Sequence, residues 1–163
     1  MNTVRTLVAT GVLGLSLGLA SSAWAGEAED LDKGEILISS EAVPGSEAPR
    51  ITVRAVVDSS PEVVWGFISH CDLYAGRMPR IVESKELSRD GDKVSCRTVL
   101  DAPWPVNKLT AVTKVTLAQK DGVYTRTWAL DSGDYQINEG KWVLSPHAGG
   151  AKTMVRYETM VQP

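Results

Sequence analysis

Residues able to do acid, base or nucleophilic chemistry are few and scattered in this chain. His70, Cys71 and Asp72 follow a helix-like segment, and His147 lies in a PHAGGA turn. Adjacent residues do not share a helical face, so Cys71 and His70 do not combine as thiolate and imidazole. Neither histidine has a nucleophile-elbow or triad pattern beside it. Both read as solvent-facing turn residues, and no catalytic residue is assigned. Asp131, Asp134 and Glu139 could work as an acid and base pair, yet carboxylates around a DSGD turn are ordinarily just solvated. Two cysteines without histidines at ligand spacing do not make a zinc site. HAGGA lacks the lysine, spacing and following helix of a phosphate loop. No metal and no cofactor is expected.

Binding is the chemistry the residues supply better. In Val123 to Leu130 the even positions are Tyr124, Arg126, Trp128 and Leu130, while the odd ones are Val123, Thr125, Thr127 and Ala129. Strand alternation therefore gathers the large side chains on one face. Gly140, Trp142 and Leu144 oppose Glu139 and Lys141 in the same way, and Val155 and Tyr157 oppose Arg156 and Glu158. Trp128, Trp142, Tyr124 and Tyr157 can line a cavity or simply pack a core. Arg126 is different, because a guanidinium among inward aromatics is costly unless paired. It bonds a carboxylate such as Asp134, meets a polar ligand head, or sits at the sheet edge with its head in water. Asn138 is a second inward polar candidate. Trp104, between the prolines of DAPWPVN, either stands at a pocket rim or fills the core end.

These residues need strands and a cover. Ile51 to Val57, ITVRAVV, alternates like a strand and runs through Asp58 into SSPEVVWGFIS, Ser59 to Ser69. Ser59 with Glu62 fits a capping box; Ser60 with Pro61 fits a cap followed by proline at the first helical position. Val64, Trp65 and Ile68 then share a helical face. Cys71 to Met78 reads as a second short helix ended by Pro79. Beyond it, turns at SRDGD, KDG and PHAGGA separate alternating runs, predicting an antiparallel meander of hairpins. Residues Glu35 to Ser39 form a further strand candidate, and Gly26 to Lys33, acidic and small, read as a flexible lead-in. The helical content is small for a sheet of this size. Part of its apolar face is left for something else to cover, which is the sequence's own argument for a ligand pocket.

The start of the chain bears on compartment. Arg5 precedes an apolar run from Leu7 to Leu19, and Ala23-Trp24-Ala25 closes it with small residues two apart. That is the pattern of a secretory signal peptide over residues 1–25, so an exported protein, periplasmic or secreted, is expected. The run is shorter than the ~20 residues of a membrane span and is broken by glycines, so no stable membrane insertion is expected after cleavage. Losing Arg5 leaves 16 basic against 20 acidic residues, a formal charge of −4, with no basic block. Nucleic acid is a poor partner for such a surface. In an oxidising compartment Cys71 and Cys96 can form a disulfide; otherwise they are two small buried thiols.

The order of elements resembles the START-like superfamily, also called the polyketide cyclase and lipid transport or Bet v 1-like group. The likeness rests on ITVRAVVD, SSPEVVW, Met78-Pro79 before a hairpin, the GKW at Gly140 to Trp142, and RYETMV after a glycine-rich turn. It implies an α+β helix-grip fold over residues 51–163, a bent antiparallel sheet with two short helices after the first main strand. Residues 26–50 would be a lead-in with an extra edge strand. The resemblance also implies a hydrophobic small molecule or lipid held between sheet and helices. The alternatives it leaves are a cyclase- or aldolase-like enzyme, or a module offering its open groove to a protein partner. One departure stands out: the strand ending at Val161 is followed only by Gln162 and Pro163, so the family's usual C-terminal helix is expected to be absent. The ligand-lining residues expected are Trp104, Tyr124, Arg126, Trp128, Asn138, Trp142 and Tyr157.

Overall fold

The structure, a computed structural model, describes residues 20–163. In chain order it contains α1 (Ala20–Asp32), β1 (Leu37–Glu41), β2 (Arg50–Val57) and α2 (Pro61–Ile68), then a 3₁₀ turn at Cys71–Leu73. The meander follows as β3 (Ile81–Asp90), β4 (Lys93–Asp101), β5 (Lys108–Lys120), β6 (Val123–Gly133), β7 (Ile137–His147) and β8 (Lys152–Gln162). All eight strands join one antiparallel sheet in the order β1-β2-β8-β7-β6-β5-β4-β3. Register shifts in the β3–β4 and β5–β6 ladders mark bulges, which bend a sheet. The fold class expected from sequence, α+β with a bent antiparallel sheet and short helical elements after β2, is the one observed. Among the described residues no helix follows β8.

Local chemistry explains the joints. Ser60 is the N-cap of α2 and Pro61 occupies its first turn, with no side-chain cap hydrogen bond. The Ser60-Pro61 alternative is therefore realised and the Ser59–Glu62 capping box is not; Glu62 instead accepts a hydrogen bond from Tyr124 Oη at 3.2 Å. Asp121 and Gly122 both have positive φ, 51° and 77°, the backbone a two-residue hairpin needs between β5 and β6.

Two expectations are corrected. Gly26 to Lys33 is not a flexible lead-in: most of it is the second half of α1, tied down by a buried Leu31 and by Glu27, which accepts from Arg54 on β2 at 2.7 Å. A Glu29–Lys33 pair one turn apart adds local support. The second short helix expected over Cys71 to Met78 is a 3₁₀ helix confined to Cys71–Leu73, and the chain from there to Met78 is irregular. The Glu35 to Ser39 strand exists, shifted to Leu37–Glu41, and adds an edge beside β2. Leu7 to Leu19, the apolar run of the expected signal peptide, lies outside the described residues. No described helix is long and apolar enough to cross a membrane.

The core forms under α2 and the 3₁₀ turn. Ile68 packs with Tyr124, Leu144 and Val155, flanked by Val64, Trp65 and Phe67. Beside it Cys71, Tyr74, Val94, Cys96 and Val115 make a second cluster. Cys71 and Cys96 are bonded, with Cα atoms 6.3 Å apart, inside the ~7 Å limit for a bridge. That bond fastens the turn after α2 to β4, the strand next to the β3 edge of the sheet.

Candidate ligand-binding site

Ladder rows across the inward face build the site step by step. Tyr124, Leu144 and Val155 stand in one row, directly beneath α2. The next inward row is Leu117, Arg126, Trp142, Tyr157 and Val53, from β5 across β6, β7 and β8 to β2. Then come Val115, Trp128, Gly140, Thr159 and Ile51. Helix α2 covers the first row, and a cavity of about 230 Å³ opens over the rows beyond it. Arg126, Trp142, Tyr157, Trp128 and Asn138 line its sheet side, with Tyr74, Met78 and Ile81 from the segment between α2 and β4. Exposure rises along it: Arg126 is 5% exposed, Val161 at the other end 42%. That gradient sets a closed floor at Arg126 and a mouth at Val161.

Aromatic rings form the wall. Tyr157 lies between two indoles, its ring 5.7 Å from Trp128 in a stacked pair and 4.4 Å from Trp142 in a tilted one. Trp128 donates its indole N–H to Asn138 Oδ1 at 3.0 Å. An indole N–H only donates, so this bond fixes which end of the Asn138 amide carries the oxygen and leaves its NH₂ as a donor.

Arg126 is the electrostatic centre of the cavity. Its guanidinium carbon is 5.6 Å from the Tyr74 ring and 5.5 Å from the Trp128 ring, and Nη2 is 4.0 Å from Cys96 Sγ. Among the described residues no carboxylate pairs with it. Burial pushes its pKa down, and the neighbouring tyrosines Tyr74 and Tyr157 only partly offset that. Burial also pushes both phenols up, so they stay neutral and give the guanidinium no anionic partner.

The structure sorts the sequence candidates. Arg126, Trp128, Asn138, Trp142 and Tyr157 come together in the cavity. Tyr124 lies outside it, because Trp65 of α2 sits 5.3 Å from its ring and closes that row. Trp104 also lies outside: it is 85% exposed in the β4–β5 turn, neither lining the cavity nor filling the core. Asp134 does not meet Arg126; its Oδ2 accepts from the Thr110 backbone N–H at 2.7 Å, closing the β5–β6 edge. Arg126 is not at a wet sheet edge either. His70 is exposed and His147 pairs with Asp32 at 2.7 Å, both away from the cavity. Among the described residues no cluster of metal-ligating side chains occurs.

Sequence reasoning missed Tyr74, Met78, Ile81, Thr98, Leu100 and Thr113. Thr98 and Leu100 follow from Cys96 by strand alternation, a signal available in KVSCRTVLD. Tyr74 carried no such signal, since an irregular segment has no period to count.

Comparison with known proteins agrees with this architecture. Residues 57–163 match the family described as polyketide cyclase / dehydrase and lipid transport, and the chain belongs to that family. A STAR-related lipid transfer protein from Xanthomonas axonopodis superposes with a TM-score of 0.69 at 21% identity, over 78% of this chain and 77% of that one. Human StAR-related lipid transfer protein 5 gives 0.66 at 12% identity, over 87% and 78%. The Zhui aromatase/cyclase of a Streptomyces species gives 0.60 at 14%, over 71% and 68%. No curated protein matches the sequence.

Proposed function

We propose that this protein is an exported carrier that holds a hydrophobic small molecule, a lipid, isoprenoid or aromatic compound, between its sheet and the segment that follows α2 without chemical turnover. The observation that carries this reading is the cavity itself, walled by Trp128, Trp142 and Tyr157 and open at Val161. Apolar burial supplies affinity at roughly 25 cal/mol per Å², and the few polar groups orient the ligand. Its volume of about 230 Å³ lies below the ~300–1,000 Å³ of pockets that enclose drug-sized ligands. The enclosed part of the ligand is thus a small molecule or one end of a longer one. The lining favours holding over turnover, because its ionisable residues are Arg126 and tyrosines, and burial keeps Tyr74, Tyr135 and Tyr157 protonated. Export is supported by Arg5, the run Leu7 to Leu19 and Ala23-Trp24-Ala25.

Native mass spectrometry of the protein purified from the exported and the cytoplasmic fractions separately, followed by organic extraction, tests both parts. A chain beginning at Gly26 and carrying one apolar molecule supports the reading. A cytoplasmic protein retaining Arg5 overturns export. An empty chain, or one held in a stable complex with a second protein, overturns the carrier.

A further inference from the structure

Resting on that carrier reading, we infer that the cavity takes an apolar carboxylic acid, with the ionised head inserted to the floor against Arg126 and the apolar body directed towards the mouth. Two independent observations converge. Arg126 is 95% buried, lines the cavity, and has no carboxylate partner among the described residues. A buried charge held only by two aromatic faces and one sulfur contact is far from satisfied, since a guanidinium carries five N–H donors. Nearby, Asn138 has given its oxygen to Trp128, so what it offers a ligand is a donor. A cation and an amide donor in one apolar cavity describe the complement of an anion.

Position and charge narrow the class. Arg126 shares its row with Trp142 and Tyr157, next to the row sealed by α2, so the charge sits at the closed end. A head group bound there enters first, and the apolar body follows past Trp128 towards Val161. One guanidinium balances one negative charge and matches a carboxylate bidentately. A phosphate monoester brings about −1.5 to −2 at neutral pH and leaves charge uncompensated in a desolvated site.

Equilibrium titration at pH 7 of the delipidated protein with decanoate, 1-decanol and decyl phosphate, followed by tryptophan fluorescence, tests this. Decanoate is expected to bind about 10- to 100-fold more tightly than decanol, the range of a hydrogen bond to a charged group. It is also expected to exceed decyl phosphate, and Arg126→Met is expected to bring the acid-to-alcohol ratio near one. Decanol binding as tightly as decanoate overturns the anionic head while leaving an apolar carrier. Preference for decyl phosphate overturns the carboxylate assignment. Arg126→Met keeping the ratio removes Arg126 from recognition, and the wild-type ratio stands as the test should that variant not fold. Binding of none of the three removes this inference together with the carrier reading.

Discussion

Trp128 lies across Gly140, its partner in the β6–β7 ladder, so closely that a Cβ at position 140 would stand 2.5 Å from the indole carbons Cζ2 and Cη2 and 2.2 Å from the Glu158 carbonyl oxygen. The missing side chain is what lets the indole lie flat, stack on Tyr157 and reach Asn138. Gly140→Ala is therefore expected to cost about 1–3 kcal/mol by overpacking. Ligand affinity should fall with it, because the displaced ring is cavity wall. Urea unfolding with tryptophan fluorescence measures both. A variant as stable as wild type, with an unchanged emission spectrum, would show that the close approach does not exist.

The disulfide is the only cross-link between the segment after α2 and the sheet among the described residues. Its cysteines are 25 residues apart, and closing a loop of that size is worth about 3.5 kcal/mol in the unfolded chain. Replacing Cys71 and Cys96 by serine is expected to lower the unfolding midpoint accordingly. Ligand affinity should drop as well, since Tyr74 of that segment forms one side of the cavity. Denaturant curves with and without reductant check this, and superimposable curves would count against the bond.

Glu86 and Arg89 join β3 to the end of α2. Arg89 donates to both carboxylate oxygens, at 2.8 and 2.6 Å, and to the Ser69 carbonyl at 3.0 Å. The hydrogen bond from Arg89 holds the Glu86 carboxyl below its ordinary pKa. A depressed carboxyl contributes stability that is present above its unfolded value, about 4.3, and lost as pH falls through the lower folded value. Wild type is thus expected to lose stability on the acid side of that value. Glu86→Gln should flatten the loss, with little change in slope at pH 6 to 8. Parallel curves for the two proteins would exclude this contribution.

How much of this was legible in the sequence depended on period. Strands with a covered and a solvated face announce themselves, so the side-chain sorting of β6, β7 and β8 and the inward placement of Arg126, Trp128, Trp142 and Tyr157 were readable. The meander order of β3 to β8 was readable from the hairpin turns, and an edge strand before β2 was expected; the pairing of β2 with β8 was not readable, because it joins distant segments. Which of the three alternatives for Arg126 holds was not readable, since a turn carboxylate such as Asp134 can reach either a side chain or a strand-end amide, and only the register decides. Tyr124 shares its strand face with Arg126. Whether each meets protein or ligand depends on where α2 ends, which a helix pattern fixes only loosely.

Trp104 tests that distinction from the opposite side. Large and flanked by prolines, it invites a role, yet it stands 85% exposed. Trp104→Ala is expected to change stability by less than about 0.5 kcal/mol and to leave ligand affinity within twofold. A larger loss of affinity in the decanoate titration would place the β4–β5 turn over the mouth.

Arg126 itself yields the sharpest stability test, because function and stability pull in opposite directions there. A guanidinium desolvated without a counter-ion destabilises the ligand-free fold, and the cation–π contacts, at about 0.5–2 kcal/mol each, and the weak Cys96 sulfur contact only partly offset it. Arg126→Met keeps most of the aliphatic volume and removes the buried charge. Replacing even paired buried ions by apolar residues of similar volume is often neutral or stabilising by about 1–4 kcal/mol, and an unpaired one has less to lose. The ligand-free variant is accordingly expected to unfold at higher urea than ligand-free wild type. Decanoate should reverse the order, since a ligand that binds only the folded state stabilises in proportion to its affinity, and the variant has lost the group that reads the charge. If Arg126→Met is instead less stable without ligand, the guanidinium is satisfied within the protein, and the energetic ground for an anionic ligand disappears.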